Sequence, residues 1–162
     1  MSPAAADPLL EVRDLAKTFE TTRRAPSGAR ETLRALDGIS FSVDRGRTIG
    51  IVGESGSGKS TAARSILRLI EPTSGSVTFD GVDLLTLAPE AMRRFRRRMQ
   101  MVFQDTTGTL DPRMTVGALI EEPLIVHGIG TAAERRQKVA SMLERVGLDP
   151  AVARRRPHEF SG

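Results

Sequence analysis

Eight consecutive residues carry the strongest chemical signal in this chain: Gly53-Glu54-Ser55-Gly56-Ser57-Gly58-Lys59-Ser60 fits the spacing G-x-x-x-x-G-K-[ST] at every position. Glycines admit backbone conformations closed to other residues, so successive N–H groups can turn inward around phosphate oxygens. A helix starting after Gly58 would aim its N-terminal dipole at the same anion. At these positions Lys59 can reach β- and γ-phosphates, the Ser60 hydroxyl can ligate magnesium, and Thr61 adds a donor near the α-phosphate. A glycine-serine turn could also be only a flexible connection. The flanks argue against that, because the motif needs a strand before it and a helix after it.

The flanks read as follows. Thr48 to Val52 is a short apolar run, as a buried strand would be, and leads straight into the loop. Beyond it, Ala63, Ile66, Leu67 and Ile70 recur at helical spacing, and Pro72 is expected to end that helix. Upstream, Leu10 and Val12 alternate with polar neighbours, as do Ile39, Phe41 and Val43, so both segments read as strands; Asp44-Arg45-Gly46 reads as a turn. Residues 20–31 are polar, include Pro26 and Gly28, and read as a loop. Ser76 to Leu84 reads as a hairpin turning at Asp80-Gly81. Pro89 suits the first turn of an arginine-rich helix, and Gln100 to Phe103 is a second short apolar strand. A polar loop follows from Gln104 to Arg113. Thr131-Ala132-Ala133-Glu134 is a capping box ahead of Val139, Met142, Leu143 and Val146, with Gly147 as a stop and a short helical piece from Asp149-Pro150.

The 162 residues suffice for one domain with a real core, and 39% hydrophobic with 27% charged residues is a globular composition. No apolar run reaches the ~20 residues of a membrane span, so membrane contact is expected through a partner. Residues 1–8 read as a disordered N-terminus without a signal-peptide pattern. With no cysteines, disulfides and thiolate metal sites are excluded and the cytosol is the default. The formal charge is +4, and only Lys17, Lys59 and Lys138 are lysines. The densest basic cluster, Arg93 to Arg98, surrounds Met92, Phe95 and Met99 at helical spacing, which is a solvated face of an amphipathic helix.

Further residues narrow the chemistry to one family. Ala35-Leu36-Asp37-Gly38-Ile39-Ser40-Phe41, running through Gly46 to Ile51-Val52-Gly53, closely resembles the ATP-binding subunits of ABC transporters. So do Pro72-Thr73-Ser74-Gly75-Ser76-Val77 with Asp80-Gly81, and Met101-Val102-Phe103-Gln104-Asp105 is similar to their Q-loop. Pro157-His158-Glu159-Phe160-Ser161-Gly162 resembles the opening of their signature motif. Glu121-Glu122-Pro123-Leu124 with His127-Gly128 is most similar to importers of dipeptides and oligopeptides; nickel and glutathione importers share much of this pattern. Thr106 after Asp105 and Arg156 before Pro157 depart from the family, which often has proline and tyrosine there.

The resemblance implies an α/β fold of the P-loop NTPase type: a mixed sheet with flanking helices, a small antiparallel β subdomain and the start of a helical subdomain. Residues 9–162 would be one nucleotide-binding domain, incomplete and cut within its signature motif, ahead of the Walker B aspartate, catalytic glutamate and switch histidine. As written, the chain is then expected to be inactive in hydrolysis, although the family is an ATPase. The implied cofactors are ATP and Mg2+. Gly53 to Thr61 would hold the triphosphate, with Glu54, Ser55, Gly56, Ser57 and Gly58 in the cradle, Lys59 on the phosphates and Ser60 on magnesium. Gln104 would touch magnesium and the attacking water. Phe19 sits where the family places an aromatic against adenine, although a residue that follows a strand could also be core. Ser161 and Gly162 would face the γ-phosphate held by a second subunit. The implied partners are a second ATPase subunit, two membrane permease subunits and, indirectly, an extracytoplasmic solute-binding protein, at the cytoplasmic face of the membrane. Two other readings compete: a non-hydrolysing ATP-binding fragment, and a nucleic-acid-associated ABC ATPase. The second finds no zinc cluster and no aromatic platform here, so no nucleic acid is expected.

Overall fold

The computed structural model describes residues 7–24, 30–103 and 108–159. They fall into two compact units, Met1–Met101 and Val102–Gly162. The expected disorder of residues 1–8 falls mostly outside the described residues.

The first unit is built on an antiparallel sheet of β1 (Leu10–Arg24), β2 (Arg30–Val43), β3 (Ser74–Phe79) and β4 (Val82–Asp83), ordered β2-β1-β3-β4. Val12 on the central strand pairs with Phe41 on one side and Val77 on the other. Alternation then sends Val12 and Val77 to a single buried face, where they meet Leu36, Leu84 and Met92. The register of β1 shifts between Val12 and Leu15, around Asp14 at φ 47, whose N–H donates to Ser40 Oγ at 2.8 Å. This irregularity turns Leu15 back into the core, where it is fully buried. Across from it only glycine fits at Gly75: with φ 101, a Cβ there would stand 2.6 Å from the Asp14 carbonyl oxygen and the Leu15 Cα. Asp80 and Gly81, both at positive φ, make the expected hairpin turn.

Helix α1 (Lys59–Ile66) covers the sheet with Ala62, Ser65 and Ile66. The expected helix ran on to Pro72, with Ala63, Ile66, Leu67 and Ile70 inward. The structure ends it a turn earlier, at Leu67, because Arg68 takes left-handed backbone at φ 51. There its guanidinium donates to the carbonyls of Leu84 (2.9 Å) and Leu87 (2.7 Å), contacts no further helical turn would allow. Helix α2 (Pro89–Phe95) starts on its proline as expected and buries Met92. Arg98 lies over the rings of Phe79 and Phe95 and pairs with Asp80, which Arg45 also pairs.

Three further expectations fail. Residues 20–31 were expected as loop, yet β1 reaches Arg24 and β2 begins at Arg30, with Arg24 paired to Arg30. The sequence there is polar and carries no hydrophobic alternation, so it reads as loop. Thr48 to Val52 and Gln100 to Phe103 were expected as buried strands, and neither forms a ladder with any described residue. Val52 is 95% and Val102 86% exposed. Both runs have the composition of central parallel strands, but such strands exist only when flanked by partners, and the described sheet pairs elsewhere.

In the second unit, α3 (Val116–Val126) and α4 (Ala132–Arg145) are joined by Arg135 Nε donating to Glu121 Oε1 at 2.9 Å. The capping box at Thr131 and Glu134 forms as expected, and Gly147 at φ 78 follows the end of α4. Val139 and Leu143 are buried, whereas Met142 and Val146, expected on the same inward face, are exposed and line an open apolar hollow of about 510 Å³ with Leu148. Short 3-10 turns at Pro150–Arg154 and Pro157–Glu159 complete the unit. Its α3 was not anticipated: the segment is apolar nearly all round and holds Pro123, so it lacks a helical stripe. No helix among the described residues is long and apolar enough to cross a membrane.

Candidate functional site

The site lies wholly within the first unit, where the loop Gly53 to Gly58 hands over to α1. Gly58 is the helix cap at φ 92, and no side chain caps the first turn. The leading N–H groups of an α-helix have no intrahelical acceptor, so those at the start of α1 are available to an anion. The wall behind them is bare backbone. A Cβ at Gly58 would sit 2.3 Å from the Ala35 carbonyl oxygen of β2, and one at Gly53 would sit 2.7 Å from Ser57 Oγ. A glycine loop packed this tightly at a helix N-terminus, with Lys59, Ser60 and Thr61 beside it, fits a polyphosphate.

Lys59 folds back over the loop. Its Nζ donates to the carbonyls of Gly53 at 2.7 Å and Glu54 at 2.6 Å, and lies 3.3 Å from Ser57 Oγ. The loop's own turn is closed by Ser57 N–H on the Glu54 carbonyl at 3.2 Å. A half-buried ammonium is thereby held at the mouth of the loop, beside the helix N-terminus. Both features are electropositive, so they reinforce one another toward an anion.

A cleft of about 470 Å³ connects this loop to the sheet. Gly56 to Thr61 line it together with Phe19, Leu33, Arg34 and Ala35. Phe19 on β1 is the direct cross-strand partner of Leu33 on β2, and such partners share a sheet face. Leu33 is 60% exposed. Of the residues singled out from the sequence, Phe19, Gly56, Ser57, Gly58, Lys59, Ser60 and Thr61 therefore meet around one cleft. Gly53, Glu54 and Ser55 belong to the loop but do not line the cleft. Gln104, Ser161 and Gly162 lie outside the described residues.

Leu33 and Ala35 escaped sequence reasoning, although a signal existed. Placing Phe19 on a strand paired to the segment 30–43 makes some residue of that segment its facing neighbour. Lys17 was missed in the same way: it lies two residues from Phe19, and its Nζ sits 4.9 Å from the Phe19 ring centroid.

The ABC transporter family profile matches residues 36–162. A putative peptide import ATP-binding protein of Brucella ovis is 53% identical over 155 residues, 96% of this chain and 47% of its own. The oligopeptide transport ATP-binding protein AppF of Bacillus subtilis is 45% identical over 163 residues, 100% of this chain and 50% of its own. Among solved structures, a dimeric ATP-binding cassette in a post-hydrolysis state bound to ADP and Pi matches with a TM-score of 0.76 and 28% identity, over 94% of this chain and 63% of that one. The chain spans about half the length of the curated relatives it matches. The fold is that of the ATP-binding cassettes, with β1 to β4 as its antiparallel part.

Proposed function

The chain belongs to the ABC transporter family, and from that premise we propose that it is the ATP-binding part of a subunit that couples ATP binding and hydrolysis to solute import, with peptides as the first candidate solute. The observation that carries this reading is the convergence of the Lys59 ammonium, the open N-terminus of α1 and the Phe19–Leu33 pair on one cleft. The loop end, with the Lys59 ammonium and the helix N-terminus, suits the phosphates of a nucleotide, and the end at the Phe19 ring suits its base. The peptide assignment is supported by the names of the relatives.

In this reading Gly53 to Thr61 hold the triphosphate, with Lys59 on the β- and γ-phosphates. Ser60 and Gln104 are the magnesium ligands, and Gln104 also orients water and relays the occupied state to the membrane subunits. Phe19 stacks on the base. Bound MgATP supplies the anhydride and the divalent charge that screens it. Ser161 and Gly162 face the nucleotide of a second ATPase subunit, so that two half-sites close on each other. Closure then moves two permease subunits, served by an extracytoplasmic solute-binding protein, at the cytoplasmic face of the membrane. Ligand-driven association performs this work only through a difference in affinity between the open and closed states.

The test is Lys59→Ala in the full transporter, assayed for peptide uptake in vesicles loaded with ATP. Uptake should fall to background. Undiminished uptake would defeat the assignment.

A further inference from the structure

The base end of the cleft is braced by a side chain that does not line it. Lys17 precedes Phe19 by two positions on β1, and its ammonium stands over the Phe19 ring, 4.9 Å from the centroid, within cation–π reach. The same nitrogen donates to the Glu71 carbonyl at 2.7 Å. Glu71 is itself held: Arg68 Nε donates to its two carboxylate oxygens at 2.9 and 3.0 Å. Two residues further on, Thr73 N–H donates to the Ala16 carbonyl at 2.8 Å, and Thr73 Oγ1 accepts from Thr18 N–H at 2.9 Å. The segment after α1 therefore grips β1 on both sides of Lys17, and α1 is the helix whose first residues bound the phosphate end of the cleft.

We infer that Lys17 is a positioning residue for the nucleotide, holding the Phe19 ring in its stacking orientation from an anchor on the Glu71 carbonyl. This rests on the reading of Phe19 as the base platform. A phenyl ring on a strand can turn about two side-chain bonds, and an ammonium over one face removes that freedom before the base arrives. Fixing the ring in advance saves ordering cost on binding. Lys17 is absent from the cleft lining, so it acts on the base through Phe19, while the Thr73 bonds to Ala16 and Thr18 keep the segment after α1 on β1 without it. The phosphate end should not register its loss.

The experiment compares the purified parent protein with Lys17→Met, Lys17→Arg, Phe19→Ala and the Lys17→Met/Phe19→Ala double variant. Calorimetry measures binding of MgATP and of magnesium tripolyphosphate, a probe with phosphates and no base. Lys17→Met should raise the Kd for MgATP about three- to tenfold, the range set by ordering one side chain on binding. It should leave tripolyphosphate within about twofold, Lys17→Arg should restore most of the affinity, and the methionine should add nothing once Phe19 is alanine. An unchanged MgATP affinity in Lys17→Met, an equal loss for both probes, or a full additional loss in the double variant would each overturn the inference. Phe19→Ala binding MgATP as tightly as the parent would instead defeat the base-platform reading. A silent Lys17→Met beside a weakened Phe19→Ala would defeat only the role of Lys17. Thermal unfolding checks each variant, and Lys17→Gln replaces the methionine if that variant is unfolded.

Discussion

The Gly58 Cα faces the Ala35 carbonyl so closely that a Cβ would lie 2.3 Å from that oxygen. The contact seats the phosphate loop on strand β2, and Gly58 meets it with left-handed backbone at φ 92. Gly58→Ala faces two penalties: about 1–2 kcal/mol for the left-handed conformation and a clash with backbone that has no rotamer to yield. The loop should be pushed off β2, with MgATP affinity down more than tenfold and a lower unfolding temperature. Parent-like binding would show that the Ala35 contact does not shape the loop.

Acid should loosen the second unit from the start of α4. The Glu134 carboxylate is held below its ordinary range, first by the Thr131 backbone N–H and then by the Thr131 hydroxyl. Its N–H···Oε2 distance to Thr131 is 2.6 Å in heavy atoms. A group depressed in the folded state stabilises it above the ordinary carboxylate range, and that contribution is lost as pH falls through the lowered value. Protection of the Thr131 amide, taken relative to its intrinsic exchange rate, should therefore fall as pH drops through the lowered value, and Glu134→Gln should flatten that pH dependence. An exchange rate that follows only the intrinsic base-catalysed trend in both proteins would contradict the capping role.

Legibility in the sequence followed how local the cause was. The octet from Gly53 to Ser60, the turn at Asp80-Gly81 and the box at Thr131 and Glu134 were readable because each is decided within eight residues. Thr48 to Val52 was misread because its composition records that it suits a buried strand, not which strands would flank it. The early end of α1 depends on Arg68 finding the carbonyls of Leu84 and Leu87, contacts sixteen and more positions away. In α3 the burial is not one-sided, so no period marked it. At the site, Gly56 to Thr61 and Phe19 could be singled out before the fold was known, and the structure brings them to one cleft; Leu33 and Lys17 needed the strand register.

Gln104 carries the proposed link to the membrane subunits. Gln104→Ala in the full transporter should keep the MgATP Kd within about twofold while hydrolysis stimulated by the permease falls about tenfold or more, as loss of a water-positioning residue does. Equal losses of binding and turnover would make it a structural residue of the loop.

The central claim is that Lys59, drawn over the loop by Gly53 and Glu54, binds the phosphates of ATP. Calorimetric titration of MgATP into the purified parent protein and into Lys59→Ala tests it most directly. A charge-assisted contact of about 1.5–3 kcal/mol corresponds to roughly a ten- to hundredfold rise in Kd. That loss, in a variant whose unfolding temperature matches the parent, is the predicted result; equal affinities in the two proteins would contradict the account.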